Sequence, residues 1–459
     1  MTDWGRRARR FRWADVRRRL AQSLAPAKAI LEGSVVRNAA SLYGTTIITS
    51  LFGFLYWFVA ARMATATAVG IASAIQSAAQ FLSIFCVLGL STLLISELSN
   101  DRRHARALIL TAATVVAAVT LILSAIVGFV LGVFSRALHP GLTGPVEVLV
   151  FVLLSVAATV LLVLDDSCIG LLRGDLQLRR NGVFAISKLL LLPVLITIWP
   201  DHSGTELEVA WLAGLLVSMG TLIRQLAKLT RGQPSRLDFR RIFEKRRLML
   251  GHHSLNLSFT SPGLLVPVLV TIIIGPASNA AYTVAMLVAS FVNIIPFHLS
   301  TALFALAPGD EKALAREVRK TMRICLILAV VSAPFFALLS VFILGIFGHS
   351  YEKAAGALAA LGLITYPAAI NAHYVAISRV RGRMQQAALW TAIGACLEVG
   401  LAAGGGVVHG ITGVAVGVLF GLTIEAAILS PVVFGVLRMN RKLGAKAENG
   451  TLSLEPPPK

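Results

Sequence analysis

Charge is what this chain has least of. Only 14% of its 459 residues are Asp, Glu, Lys or Arg, against roughly 25% in an ordinary soluble domain, so it cannot clothe a globule of this size in a polar surface. Cysteine is scarce too. Cys86, Cys168, Cys325 and Cys396 lie in or at the edge of apolar runs without metal-ligand spacing; a disulfide scaffold and a cysteine-bound metal are excluded, and small buried apolar side chains remain. No glycine-rich phosphate loop occurs, since Gly404-Gly405-Gly406, at the end of an apolar run, reads as external-loop sequence and not a nucleotide cradle, and nothing calls for a cofactor. Acidic residues number 22 against 42 basic ones. Such an excess would suit nucleic acid if the cations shared one surface, but they fall in short clusters between apolar runs, which excludes that partner and points to membrane topology.

Apolar residues make up 56% of the chain, and its mean hydropathy is +0.78. Runs long enough to span a bilayer fall near 39–61, 70–95, 107–133, 147–171, 182–199, 208–227, 251–274, 280–304, 322–347, 356–378, 386–407 and 412–436. The fold class predicted is therefore an all-α membrane protein with about twelve transmembrane helices. With both termini inside, seven cytoplasmic segments hold 38 of the 42 Lys and Arg, and the external loops hold only Arg62, Arg136 and Lys353, as the positive-inside rule requires. One helix more or fewer would scramble that alternation. The expected location is the inner membrane, multi-pass, with both termini cytoplasmic. Trp199 and Trp211 are expected at the outer interface. The first apolar run is too long for a signal-peptide core and reads as a retained helix.

Five segments follow: a basic cytoplasmic stretch over 1–37, an N-lobe of six helices over 38–230, a basic linker over 231–250, a C-lobe over 251–438, and a cytoplasmic tail over 439–459. The first, with Trp13, Val16, Leu20 and Leu24 on one helical face amid the eight arginines from Arg6 to Arg19, reads either as an interfacial helix on anionic membrane lipids or as a disordered topogenic tail. The lobes look like a repeat: Leu90-Ser91-Thr92 recurs as Leu299-Ser300-Thr301, Asp101 as Asp310, and Arg173-Gly174 as Arg381-Gly382, at offsets of 208 or 209. Six helices per half make the repeats parallel, related by a pseudo-twofold along the membrane normal, with a substrate site between the lobes near the midplane.

Polar residues at helical spacing would line such a site. The first run offers Ser41, Thr45 and Thr49, and the second Ser73, Gln76, Ser77 and Gln80. The second lobe offers His252, Asn256 and Thr260, then Ser290 and Asn293, with Asn371 and Tyr374. Ser and Thr also pack helices and bond to neighbouring backbone, so the amides carry more weight. Asp165, Asp166 and Lys188 lie at similar depth on the fourth and fifth runs; ionisable groups in lipid usually pair, which makes an ion pair the first reading and substrate contact the second. Glu398 and Glu425 fall near one depth on the last two runs. They read either as a proton-coupling pair or as neutral groups bonded to their surroundings. Pro193, Pro262, Pro267, Pro296 and Pro367 fall within spans, where they can kink helices.

From Asn38 to Asp101 the chain resembles the opening of the polysaccharide transporter family, within the superfamily of multidrug, oligosaccharidyl-lipid and polysaccharide exporters. The cues are a polar-dotted first helix ending in Ala60-Ala61-Arg62-Met63, a short turn to Val69-Gly70, and a helix closing in Leu88-Gly89-Leu90. Ile343 to Tyr351 with Ala354 and Ala355, and Ile411-Thr412-Gly413-Val414-Ala415, resemble later parts of the family pattern. The resemblance implies two six-helix lobes, alternating access and flipping of a saccharide linked to polyprenyl pyrophosphate, with glycan-assembly enzymes as further partners. For the pyrophosphate, Arg37, Arg173 and Arg381 are the candidate contacts, with His252 and His253 beside them; topology alone also asks for Arg at these positions. The resembling flippases carry cations deeper in the cavity, where this chain offers few. An ion-coupled multidrug antiporter of the same superfamily is the alternative, but such exporters place a carboxylate in the first or seventh helix, and neither run here has one. A membrane glycosyltransferase or ligase would need a sizeable external loop, which the spacing does not leave.

Overall fold

The computed structural model describes residues 34–199, 203–244, 246–301, 303 and 311–448. The basic stretch before residue 34 and the tail beyond 448 lie outside them. Among the described residues there is no strand. The N-lobe contains α1 (Ser34–Met63), α2 (Ala66–Cys86), α3 (Leu90–Asn100), α4 (Ala105–Phe134), α5 (Pro145–Gly170), α6 (Gly174–Ile198) and α7 (Thr205–Leu229). A short helix, α8 (Phe239–Glu244), precedes the C-lobe helices α9 (Arg246–Ile273), α10 (Pro276–Thr301), α11 (Glu311–Gly345), α12 (Ala355–Leu363), α13 (Thr365–Val380) and α14 (Met384–Glu448).

Ten helices are long and apolar enough to cross a membrane, and the α12–α13 pair supplies another span bent by 45°. The longest, α14, is two helices merged across His409 and Gly410, where the backbone leaves helical geometry. Its arms pack antiparallel: a Cβ on Gly405 would sit 2.1 Å from the Gly413 carbonyl oxygen, and one on Gly417 would sit 2.2 Å from that of Leu401. All twelve apolar runs are thus helical. Two of them are interrupted. The run over 70–95 is α2 and α3, separated where Leu88 and Gly89 adopt left-handed backbone (φ 51° and 76°). The start of α9 comes so close there that a Cβ on Gly89 would lie 2.4 Å from the Met249 carbonyl oxygen. The run over 356–378 bends at Ile364, where Pro367 has no N–H to return to the carbonyl of Leu363.

The repeat is present, but its register differs from the sequence matches. α2 and α10 start at residues 66 and 276, α5 and α12 at 145 and 355, and α6 and α14 at 174 and 384, an offset of 210 each time. Arg173 therefore corresponds to Arg383, not Arg381. The turns agree: the Arg173 N–H donates to the Cys168 carbonyl at 2.8 Å, and the Arg383 N–H donates to that of Ser378 at 2.8 Å. Leu172 and Gly382 hold the left-handed position of this helix-ending motif.

Lys and Arg gather at one end of the bundle, here the basic end, and the opposite end is the distal one. One apolar cluster is built mainly from the N-lobe, with Ile242 of α8 and Met249 of α9 added to it, and a second belongs to the C-lobe and centres on α11, α13 and the outer turns of α14. A third crosses between lobes, joining Tyr56, Val69 and Leu207 to Val266, Tyr282, Phe347 and Ile411. The lobes share a core toward the distal end, and at the basic end Met249 at the start of α9 packs into the N-lobe cluster.

Candidate functional site between the lobes

Where the lobes face each other, a cavity of about 240 Å³ is lined by Thr49, Ser50, Gly53 and Trp57 of α1, Phe184, Ala185 and Lys188 of α6, Trp211 of α7, and Leu287, Ser290 and Phe291 of α10. Thr49 and Ser290 each lie 14 residues from the distal ends of their helices, about 21 Å at 1.5 Å per residue. The cavity thus lies about halfway along both helices. Thr49, Ser50 and Ser290 bring hydroxyls, Trp57 and Trp211 indole rings and Lys188 an ammonium, and no Asp or Glu lines it.

Lys188 is almost fully buried, 3% exposed. Its Nζ lies 3.5 Å from the centre of the Trp211 ring, 4.5 Å from Phe184 and 5.0 Å from Tyr56. The box is braced by the Tyr56 hydroxyl, which donates to the Leu207 carbonyl at 2.7 Å, and by the edge-on packing of Tyr56 and Phe184 against Trp211. Ring faces attract a desolvated cation by about 2 kcal/mol, less than the several kcal/mol that burying an ammonium costs. Among the described residues no carboxylate pairs with Lys188. The expected pairing with Asp165 or Asp166 does not form. Asp165 is bound instead by Arg180 in a buried pair through the guanidinium Nε and Nη2, and Asp166 bonds to the Ser91 hydroxyl. Depth is the reason: α5 and α6 are joined by a tight turn near residue 172, so Asp165 and Arg180 sit level. Lys188 is eight residues, about 12 Å, deeper. Trp211, expected at the outer interface, belongs to this box.

The sequence candidates disperse. Thr49 lines the cavity, and Thr45 lies one turn below it with its hydroxyl donating to the Ser41 carbonyl. Gln76 is buried in α2 and Gln80 is exposed. Asn256 accepts from Arg379 within the C-lobe, beside a half-buried His252, and Asn293 accepts from the Thr365 hydroxyl at 2.8 Å. Tyr374 is core, bonded to Ser378. The arginine forks at the basic end are occupied. Arg173 grips Asp175 at 2.8 and 3.0 Å, and Arg381 grips Glu311 at 3.1 and 2.8 Å, so neither presents an open fork to a phosphate. The side chain of Arg37 lies outside the described residues.

A second cavity, of about 140 Å³, lies inside the C-lobe between α9, α13 and both arms of α14. Glu398 and Glu425 line it with Asn371, Ser258 and Thr391. Asn371 Nδ2 donates to Glu425 Oε2 at 2.8 Å, while its buried Oδ1 has no partner. The packing explains the position of the carboxylates: Gly394 leaves room for the carboxyl of Glu425, and Gly421 lies against the backbone of Glu398.

The distal seal uses two residues that the sequence reading missed, Asn279 and Thr283, and takes up Ser73, which was expected to line the cavity. Buried Asn279 of α10 donates across the interface to the Gly70 carbonyl at 2.9 Å and to Ser73 Oγ at 2.8 Å, and Thr283 donates to Ser73 at 3.3 Å. A Cβ on Gly70 would lie 1.8 Å from the Pro276 carbonyl oxygen. Arg62 closes the rim, its Nη2 donating to the Ile346 carbonyl at 2.6 Å. Asn279 and Thr283, spaced i and i+4 in an apolar run, were the available signal.

Comparison with known proteins agrees with this architecture. The family described as "Polysaccharide biosynthesis protein" matches residues 35–304, more than half the chain. The chain belongs to that family. It is a membrane transporter of the multidrug, oligosaccharidyl-lipid and polysaccharide exporter superfamily. Among solved structures, this family member is similar to a multidrug resistance MATE family transporter in an inward-facing conformation, at 14% identity and a TM-score of 0.63, over 90% of this chain and 99% of the other. It also resembles a superfamily transporter from Pyrococcus furiosus, described as having a binding pocket of reverse polarity that suggests a different function, at 12% identity and a TM-score of 0.58, over 90% and 96%. A mutant MATE transporter from Vibrio cholerae matches at 15% identity and a TM-score of 0.56, over 89% and 99%. At such identities the likeness is one of fold. No curated protein matches the chain.

Proposed function

We propose that this transporter flips a lipid-linked oligosaccharide or polysaccharide precursor, carried on polyprenyl pyrophosphate, across the inner membrane by alternating access, with its basic end cytoplasmic. The observation that carries this reading is Lys188 at the interlobe cavity. A buried ammonium with ring faces around it and no carboxylate beside it is matched by an anion brought in by the substrate, and Trp57, Trp211 and Phe291 offer faces for sugar rings. A cationic drug would meet a cavity without a single carboxylate, which disfavours the antiporter. Family membership supports a saccharide, and the positive-inside rule supports the orientation. The test is flipping of a fluorescent polyprenyl-pyrophosphate saccharide in proteoliposomes. Lys188→Gln should cut the rate by tenfold or more, and Lys188→Arg should keep part of it. Unchanged flipping by Lys188→Gln would refute the assignment of Lys188.

The C-lobe carboxylates fit energy coupling within the same cycle. Glu398 and Glu425 face one small cavity, and the bond from Asn371 links the second of them to α13, so protonation would alter contacts among α9, α13 and α14. Glu398→Gln and Glu425→Gln should bind substrate but lose acceleration by a proton gradient. Wild-type rates for both across a pH gradient would leave them as structural hydrogen-bonding groups.

A further inference from the structure

Along α11, Lys312, Arg316, Arg319 and Arg323 recur at i, i+4, i+7 and i+11, so one helical face carries four cations. The nearby acids do not neutralise them. Glu311 is held by Arg381, and Glu317 falls on the opposite face. Arg319 and Arg323 meet Arg438 of α14 and Tyr366 of α13 around a groove of about 410 Å³ whose remaining walls are apolar, Leu326 and Phe434 among them. No Asp or Glu lines it. Arg319 ties the two helices together, its Nη2 donating to the Leu437 carbonyl at 3.0 Å. Arg323 and Arg438 are exposed and have no carboxylate partner among the described residues.

The groove's level and outlook select its occupant. Arg323 closes the polar opening turns of α11 and an apolar run follows it, while Arg438 ends the apolar run of α14. Both therefore stand where hydrocarbon gives way to headgroups. Beside them Ile324, Leu326 and Ile327 are 40%, 47% and 66% exposed, the surface of a helix facing lipid, and the groove shares no lining residue with the interlobe cavity. Topology asks for cations at this end, but it does not require three guanidinium groups from two helices to converge on one concavity with an apolar wall. We infer that this groove binds the phosphate headgroup of an anionic phospholipid of the surrounding leaflet, whose acyl chains lie over Leu326 and Phe434. Guanidinium forks match phosphate oxygens, and the Tyr366 hydroxyl supplies a further donor.

The full chain in detergent can be titrated with phosphatidylglycerol and with phosphatidylcholine of the same acyl chains, counting bound lipid by native mass spectrometry. Wild type should prefer phosphatidylglycerol by about tenfold. Arg323→Gln with Arg438→Gln should abolish that preference; the corresponding double Lys variant should retain it, and so should Arg102→Gln with Arg103→Gln, which removes equal charge elsewhere at the basic end. Arg319 is left in place because it ties the helices. An undiminished preference in the Arg323/Arg438 Gln variant, or an equal loss in the Arg102/Arg103 variant, overturns the site. Preferential displacement of phosphatidylglycerol by polyprenyl phosphate at equal concentration overturns the choice of lipid. A measurement on unaltered protein guards against misfolding of the variants: phosphatidylglycerol with a photoreactive acyl chain should label peptides containing Leu326 or Phe434, and labelling confined to other helices refutes the inference.

Discussion

Replacing Asn279 with alanine should open the distal seal. Its Nδ2 makes two hydrogen bonds from α10 to the other lobe, to the Gly70 carbonyl at 2.9 Å and Ser73 Oγ at 2.8 Å, and the residue is fully buried. Side-chain hydrogen bonds within membranes contribute about 0.6 kcal/mol each on average and up to about 1.7. Losing two of them should thus destabilise the sealed state by roughly 1–2 kcal/mol, a factor of about 5–30 in its population relative to a distally open state. The remaining contacts, Arg62 to Ile346 and the apolar cluster around Phe347, are untouched by the substitution, so the lobes should separate rather than unfold. Spin labels at Thr67 on α2 and Ser350 beyond α11, both exposed and on opposite lobes, report the separation by pulsed electron resonance. The expected result is a longer-distance population that is minor in wild type and substantial in Asn279→Ala. An unchanged distribution would mean that the seal is held by its other contacts without this amide, and the role given to Asn279 would be wrong.

Three further outcomes follow from particular contacts. Asp165→Asn or Arg180→Gln, each breaking a buried pair whose side chains are 10% and 7% exposed, should cost about 3–5 kcal/mol and lower the melting temperature sharply, while replacing both with apolar residues of similar volume should recover most of it. Gly405→Val should disrupt the antiparallel arms of α14, because a Cβ there lies 2.1 Å from the Gly413 carbonyl oxygen; Gly400→Val, with nothing within 4 Å, should be tolerated in the same thermal assay. At the basic end, the Asp101 carboxyl is held below its ordinary value of 3.8 by the Arg103 backbone N–H, the His104 ring and the Arg241 guanidinium. A carboxylate with a depressed folded value contributes stability above its unfolded value and loses it as pH falls through the folded one. Hydrogen exchange in α8, which carries Arg241, should therefore stay slow down to the ordinary carboxylate range and quicken only below it, and quickening near about pH 6 would show that another group controls the contact.

Much of the architecture was legible in the sequence, because bilayer thickness and the cost of unpaired backbone groups impose long apolar helices and the basic clusters mark alternate ends. The twelve runs and the two lobes follow from those constraints, as does the closeness of Glu398 and Glu425, whose depths could be counted along their helices. Periodicity says which residues share a face of one helix, but not which neighbour that face meets. Only the tertiary structure decided that Thr49 and Ser290 line one cavity between the lobes while Asn256 and Asn293 bond to Arg379 and Thr365 of their own lobe. It also gave Asp165 to Arg180, since partners in a buried pair must lie at equal depth on touching helices, and left Lys188 to the rings of Tyr56, Phe184 and Trp211. The repeat register moved to 210 for the same kind of reason: helix starts and their capping turns obey backbone geometry, whereas short side-chain matches do not. Asn279, an unremarkable residue in an apolar run, became the polar bridge between lobes because Gly70 allows its helix to approach the Pro276 backbone within the reach of a hydrogen bond.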